Sequence, residues 1–196
     1  MKSELHKTLK KVTAASALML SCLPLLPAAA GPAVTPKKTI FTLASSSFRN
    51  SGRIPAKFAK NAIPGGRNIS PELHWKNPPA GTKSFALICI DMNPVARRWI
   101  HWMVINIPPE ANSIPENASG KRKMPGESLE LRNSFGDNGW GGPQPPKGTG
   151  IHKYLFFLFA LDTEKISSSP ANEKEFISAL KGRILAKAVI SGNFSY

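Results

Sequence analysis

The chain has 196 residues, 41% of them hydrophobic and 19% charged, which suits one domain with a substantial core. Its 26 Lys and Arg against 12 Asp and Glu give a formal net charge of +14. The basic residues are scattered, the tightest cluster being Lys121-Arg122-Lys123. No basic stripe runs along a helix, which argues against a nucleic-acid partner and leaves anionic ligands or surfaces.

Lys2, Lys7, Lys10 and Lys11 make a basic opening, and an apolar stretch from Val12 to Ala30 follows, closing on Ala28-Ala29-Ala30 before Gly31. Basic, then apolar, then small residues is the pattern of a cleaved export signal, here residues 1–30. Pro24 and Pro27 in its second half speak against an uncleaved membrane anchor. Met19-Leu20-Ser21 is a poor lead-in for lipidation of Cys22. The expectation is a periplasmic or secreted protein with no stable membrane span after cleavage. Loss of residues 1–30 leaves 22 basic and 11 acidic residues and a single cysteine, Cys89, so no internal disulfide can form.

Residues 31–39 are small, Pro-rich and basic, and read as a poorly fixed lead-in. Ile40-Phe41-Thr42-Leu43 can begin a strand. Between Asn61 and Pro79, Pro64-Gly65-Gly66, Ser70-Pro71 and Pro78-Pro79 punctuate the chain while Leu73 and Trp75 alternate, which suits short strands and ordered loops. Residues 84–90, 100–107 and 154–161 are the strongest strand candidates. In the first, Phe85, Leu87 and Cys89 face opposite to Ala86, Ile88 and Ile90. In the second, Ile100, Trp102, Val104 and Asn106 face opposite to His101, Met103, Ile105 and Ile107. The third is apolar on both faces, as central strands covered by another layer are. Two long polar connections, 108–125 and 133–150, lie between these runs, and connections of that length usually carry function. Near the end, Asn172 with Glu175 forms a capping box, and Phe176, Leu180, Ile184 and Ala188 recur at helical spacing, with Gly182 a candidate stop or bend. One late helix and no repeated βα units predict a β-sandwich-like or α+β domain.

Polar residues gather at the ends of these runs. Asp91 ends the first on the face of Phe85, Leu87 and Cys89. His101 sits between Ile100 and Trp102, and His152 opens the third run with Tyr154 on the same face. Pro145-Pro146-Lys147-Gly148-Thr149-Gly150 precedes His152. If these ends converge they form a cleft with one carboxylate, two imidazoles, a phenol and backbone N–H groups, suited to an oxyanion such as phosphate. Glycine spacing excludes a P-loop, and His74, His101 and His152 form neither an H-x-H pair nor an HExxH, so no metal or cofactor is expected. No G-x-S-x-G elbow occurs and no nucleophile is evident. That favours a binding or regulatory module over an enzyme. A hydrolase acting on ester or phosphoester substrates, with His152 or His101 as general base, is the alternative.

Four blocks carry a family resemblance: Asn68-Ile69-Ser70-Pro71-Glu72-Leu73-His74-Trp75, Pro79-Ala80-Gly81-Thr82-Lys83-Ser84-Phe85, Trp99-Ile100-His101-Trp102-Met103-Val104-Ile105-Asn106, and Pro145 through Tyr154. In this order the chain resembles the phosphatidylethanolamine-binding protein family, in its bacterial Raf-kinase-inhibitor-like branch, from roughly Ile40 to Phe194. The resemblance implies a mainly β fold, an antiparallel β-sandwich with peripheral short helices over residues 40–196, and a pocket for phosphate-like or acetate-like anions. By resemblance the ligand-binding residues are Asp91, His101, Pro145, His152 and Tyr154, with Pro146 also in the pocket wall. The implied partner is a phosphorylated small molecule or lipid headgroup, or a protein that the chain inhibits. Asp91-Met92-Asn93-Pro94 departs from the family's Asp-Pro-Asp-x-Pro, so Asn93 supplies no second negative charge. The kinase-inhibitor label of the animal members is not carried over to an exported protein.

Overall fold

The computed structural model describes residues 39–121 and 123–196. The predicted export signal and the lead-in as far as Lys38 lie outside the described residues. So do Cys22 and the middle of the Lys121–Lys123 cluster.

Among the described residues, runs of β-branched and aromatic residues form nine strands. They are β1 (Thr42–Ala44), β2 (Gly52–Arg53), β3 (Leu73–Lys76), β4 (Ser84–Asp91), β5 (Ile100–Ile107), β6 (Ser113–Ile114), β7 (Leu129–Glu130), β8 (His152–Leu161) and β9 (Ile184–Phe194). A six-stranded sheet has the order β2-β9-β8-β4-β5-β7, and a three-stranded sheet the order β1-β3-β6. All neighbours are antiparallel except β2, which runs parallel to the end of β9. The three apolar runs are therefore the three adjacent strands β8, β4 and β5, and every residue of β4 is buried.

The two faces of the large sheet are covered differently. On one, Phe85, Leu87, Cys89, Phe156 and Leu158 form a core with Leu43, Leu73, Trp75 and Ile114 of the small sheet. Trp75 and Phe85 meet across it with ring centroids 5.3 Å apart. This is the sandwich, with each large side chain removed from water contributing about 1.5–3 kcal/mol. On the other face, Ala86, Ile88, Ile90, Met103 and Ile105 pack with Phe176 and Leu180. Those two come from the helix α1 (Glu173–Leu180). The Asn172 side chain caps α1 by accepting from Glu175 N–H at 3.0 Å. The Glu175 carboxylate reaches back to Ala171 N–H at 2.9 Å.

Two expectations are corrected. The apolar spacing at Ile184 and Ala188 does not continue the helix: α1 stops at Leu180, Gly182 adopts φ +76°, and the chain turns into β9, an eleven-residue strand. Ile184 and Ala188 are an even number of residues apart, so their spacing fits one face of a strand as well as a helix, and pairing along all of β8 decides the matter. Nor does β5 alternate strictly. Its register against β4 slips between Cys89 and Ile90, where Trp102 and Ile100 are the partners. The extra residue is His101. The bulge leaves Ile100 on the α1 face and places His101 with Trp102 on the sandwich side, both against Trp140.

Candidate functional site

Asp91 is the last residue of β4 and pairs in register with Tyr154 of β8. His152 lies two residues from Tyr154 on the same face, the diagonal neighbour of Asp91. Its Nδ1 donates to Asp91 Oδ2 at 2.6 Å, and both side chains are almost wholly buried. The other carboxylate oxygen, Oδ1, accepts from Asn93 N–H at 2.9 Å. Asp91 is thus satisfied within the protein.

The far side of His152 meets Thr149, whose Oγ1 is 2.9 Å from Nε2. Threonine, histidine and aspartate are then in line, as in a nucleophile–base–acid relay. The hydrogen bonds run otherwise. Thr149 Oγ1 also lies 2.7 Å from the Pro146 carbonyl, which can only accept. The hydroxyl proton goes there, and the threonine oxygen accepts from His152 Nε2–H. A turn imposes this: Thr149 N–H donates to the same carbonyl at 3.3 Å, and Gly148 takes φ +79°, as the third residue of a type II turn requires. Two of the loop amides expected to cradle an anion are spoken for, Thr149 N–H by the Pro146 carbonyl and Gly148 N–H by a main-chain oxygen of Tyr196.

His101 is buried beside Tyr154, ring centroids 5.0 Å apart, with Phe135 and Trp140 around it. Its Nδ1 lies 2.5 Å from the Gly141 carbonyl. Only an N–H can make that bond, so Nδ1 carries a proton. No described residue bonds Nε2. Burial holds the imidazole down at about 4, partly offset by the Gly141 carbonyl and the charge of Asp91. The ring is therefore neutral near pH 7, with Nε2 bare. Tyr154 is buried, and among the described residues its hydroxyl has no hydrogen-bond partner. Burial first, and the Asp91 charge second, push its pKa far up, so it keeps its proton.

Asp91, His101 and His152 line one cleft of about 860 Å³ with Arg97, Trp99, Ser134, Phe135, Pro145 and Pro146. Pro145 is in the wall, while Tyr154 lies behind it. The rim comes from the segment between β4 and β5, which the sequence reading left unassigned. Asn93 caps a 3-10 turn at Pro94–Ala96 by accepting from Val95 N–H at 3.0 Å. It also ties that turn to the Ile151 carbonyl at 3.2 Å. Arg97 and Arg98 follow with φ +48° and +61°, two successive left-handed residues without glycine. Arg98 is clamped by Glu173 of α1. Arg97 is exposed and meets no carboxylate among the described residues. Ser134 Oγ accepts from Ile100 N–H at 2.9 Å, which leaves its own proton free. Among the groups the cleft presents are a buried acceptor at His101, a hydroxyl donor at Ser134 and an unpaired cation at Arg97, beside the Gln144 amide. Arg97 and Ser134 carried no motif, and only convergence of the connections shows them. Among the described residues no group of three His, Cys, Asp or Glu side chains is arranged to hold a metal.

A family model described as phosphatidylethanolamine-binding protein matches residues 44–195. A UPF0098 protein of Methanothermobacter thermautotrophicus is 36% identical over 150 residues, spanning 76% of this chain and 95% of the relative. The UPF0098 protein YbhB of Escherichia coli is 40% identical over 127 residues, 63% of this chain and 80% of that one. Among solved structures, Escherichia coli YbcL, described as a new member of the mammalian PEBP family, superposes with a TM-score of 0.73 at 33% identity. That match covers 80% of this chain and 98% of the other.

Proposed function

The chain belongs to the phosphatidylethanolamine-binding protein family, and from that premise we propose that it is an exported protein that binds a small phosphorylated anion in the cleft between Asp91, His101 and the Arg97 rim. One observation carries the reading: Arg97, unpaired among the described residues, stands over a wall whose one buried carboxylate among those residues already has both oxygens hydrogen-bonded, to His152 and to Asn93 N–H. A cleft with its negative charge satisfied and a cation left over favours an anionic ligand. The excess of 22 basic over 11 acidic residues that remains after loss of residues 1–30 acts in the same direction at longer range. Asn93 contributes by what it lacks, since a second carboxylate at this mouth would oppose the anion. Catalysis has less support. The hydroxyl in line with His152 gives its proton to Pro146, and Thr149 is not among the residues lining the cleft.

Thermal unfolding with increasing inorganic phosphate tests the reading, because a ligand bound only by the folded state raises Tm by mass action. An upward shift that grows with the logarithm of the phosphate concentration is expected, and no shift at millimolar phosphate contradicts it. Export rests on residues 1–30 alone. N-terminal sequencing of the protein recovered from the periplasm or medium should begin near Gly31; an intact Met1 on soluble cytoplasmic protein would overturn it.

A further inference from the structure

Resting on the reading of the cleft as an anion site, we propose that the ligand brings its own proton: the site selects an acidic oxyanion that still carries an O–H, such as the monoanion of a phosphate monoester, over a fully ionised or diesterified phosphate. The geometry of His101 carries this. Its Nδ1 is committed to the Gly141 carbonyl at 2.5 Å, and Gly141 N–H returns a bond to the His101 carbonyl at 2.8 Å. This reciprocal clasp fixes the ring plane and the tautomer together. The nitrogen left for the cleft is Nε2, and in a neutral ring whose Nδ1 holds the proton, Nε2 is an acceptor. A bare phosphate oxygen facing it would set lone pair against lone pair. A P–O–H facing it makes a hydrogen bond.

The remaining cleft groups complement such a ligand. Ser134 has a free hydroxyl proton and Arg97 a free guanidinium, both donors for the ionised oxygens. Neither nitrogen of His152 is available, since Asp91 and Thr149 hold them. The alternative is to protonate His101 itself. The groups around it do not overcome burial: the Gly141 and Gly142 carbonyls and the Asp91 charge favour the charged ring only in part, Tyr154 beside it stays neutral, Phe135 and Trp140 are uncharged, and Arg97 and Arg98 at the rim are cations. Burial holds the ring neutral well below pH 6. The proton therefore sits on the ligand oxygen and is shared with Nε2, and no bond other than the hydrogen bond is made or broken. A phosphodiester has no such proton near neutral pH, so it can enter only by forcing one onto His101.

Methyl phosphate and dimethyl phosphate separate these cases, because they differ by one methyl group and only the first carries a titrating proton, with a second pKa of about 6. Each is titrated calorimetrically into the protein between pH 5 and 8, in two buffers of different ionisation enthalpy. Methyl phosphate is expected to bind at pH 5 with no net proton exchange. Above its own pKa its affinity should fall about tenfold per pH unit, with one proton taken up from the buffer. Dimethyl phosphate should be weaker by on the order of tenfold or more at pH 5.5, the worth of one hydrogen bond to a charged partner. It also controls for charge, since both esters are monoanions at pH 5.5. Equal affinities at pH 5.5, or a methyl phosphate affinity that holds steady or rises toward pH 8, would overturn the proton selection and leave an anion site standing. No binding of either ester at any pH would overturn the anion reading itself.

Discussion

His101 and Gly141 hold each other by two hydrogen bonds, ring Nδ1 to the Gly141 carbonyl at 2.5 Å and Gly141 N–H to the His101 carbonyl at 2.8 Å. The clasp joins the bulged start of β5 to the 133–150 connection, so one contact sets both the imidazole and the cleft wall. Asn133 prepares the approach, accepting from Phe135 N–H and donating to the Gly139 carbonyl. A Cβ on Gly141 would sit 2.5 Å from the Phe135 ring. Gly141→Ala should cost about 1–3 kcal/mol by overpacking and weaken phosphate binding with it, as urea unfolding and titration would show. An unchanged midpoint would mean that the loop relaxes at no cost.

The buried His101 sets a pH window for stability. A histidine in the unfolded chain takes up a proton below about 6.5, whereas folded His101 stays neutral until about 4. Between these values the unfolded state binds more protons, so stability falls as pH drops through the window and levels off beneath it. The loss is on the order of 3 kcal/mol. Urea unfolding at pH 7 and pH 4.5 should show a larger drop for the wild type than for His101→Gln. Equal drops would place the acid sensitivity elsewhere.

His152 is tested through its partner. His152→Ala leaves the Asp91 carboxylate buried without a counter-ion, and breaking such a pair from one side costs about 3–5 kcal/mol. The expected result is a lower urea midpoint in the absence of ligand. A variant as stable as the wild type would show that water reaches Asp91 and that the pair is open. His152→Ala is accordingly a poor probe of binding.

The hydrolase reading has its own test in Thr149. If His152 activated the Thr149 hydroxyl, Thr149→Ala would abolish turnover of a phosphoester or ester. With the hydroxyl bonded to Pro146, any turnover should instead be at background and unchanged in the variant. A histidine-dependent rate lost with Thr149 would restore the relay.

Much of this was legible in the sequence, and the gaps have physical causes. The runs that became β4, β5 and β8 were readable because central strands are apolar on both faces, and the Asn172 cap because its chemistry is local. Strand β9 was hidden because Ile184 and Ala188 satisfy periods of both 2 and 3.6 until β8 supplies a partner. The bulge at His101 depends on register, which no local pattern encodes. The convergence of Asp91, His101 and His152 on one cleft followed from their places at strand ends, and that of Pro145 from the family resemblance, with Tyr154 behind the wall. Their proton assignments did not, because these rest on Gly141, Thr149 and the Pro146 carbonyl, backbone and loop groups with no sequence signature.

The central claim, a cleft that takes a small phosphorylated anion under the Arg97 charge, is met most directly by calorimetric titration of inorganic phosphate near pH 6 into the protein and its Arg97→Gly variant. Glycine suits φ +48°, so the variant removes the cation without straining the rim. Saturable binding by the wild type, weakened about tenfold or more in the variant, is the expected result. No binding by the wild type, or the same affinity in both proteins, would contradict it.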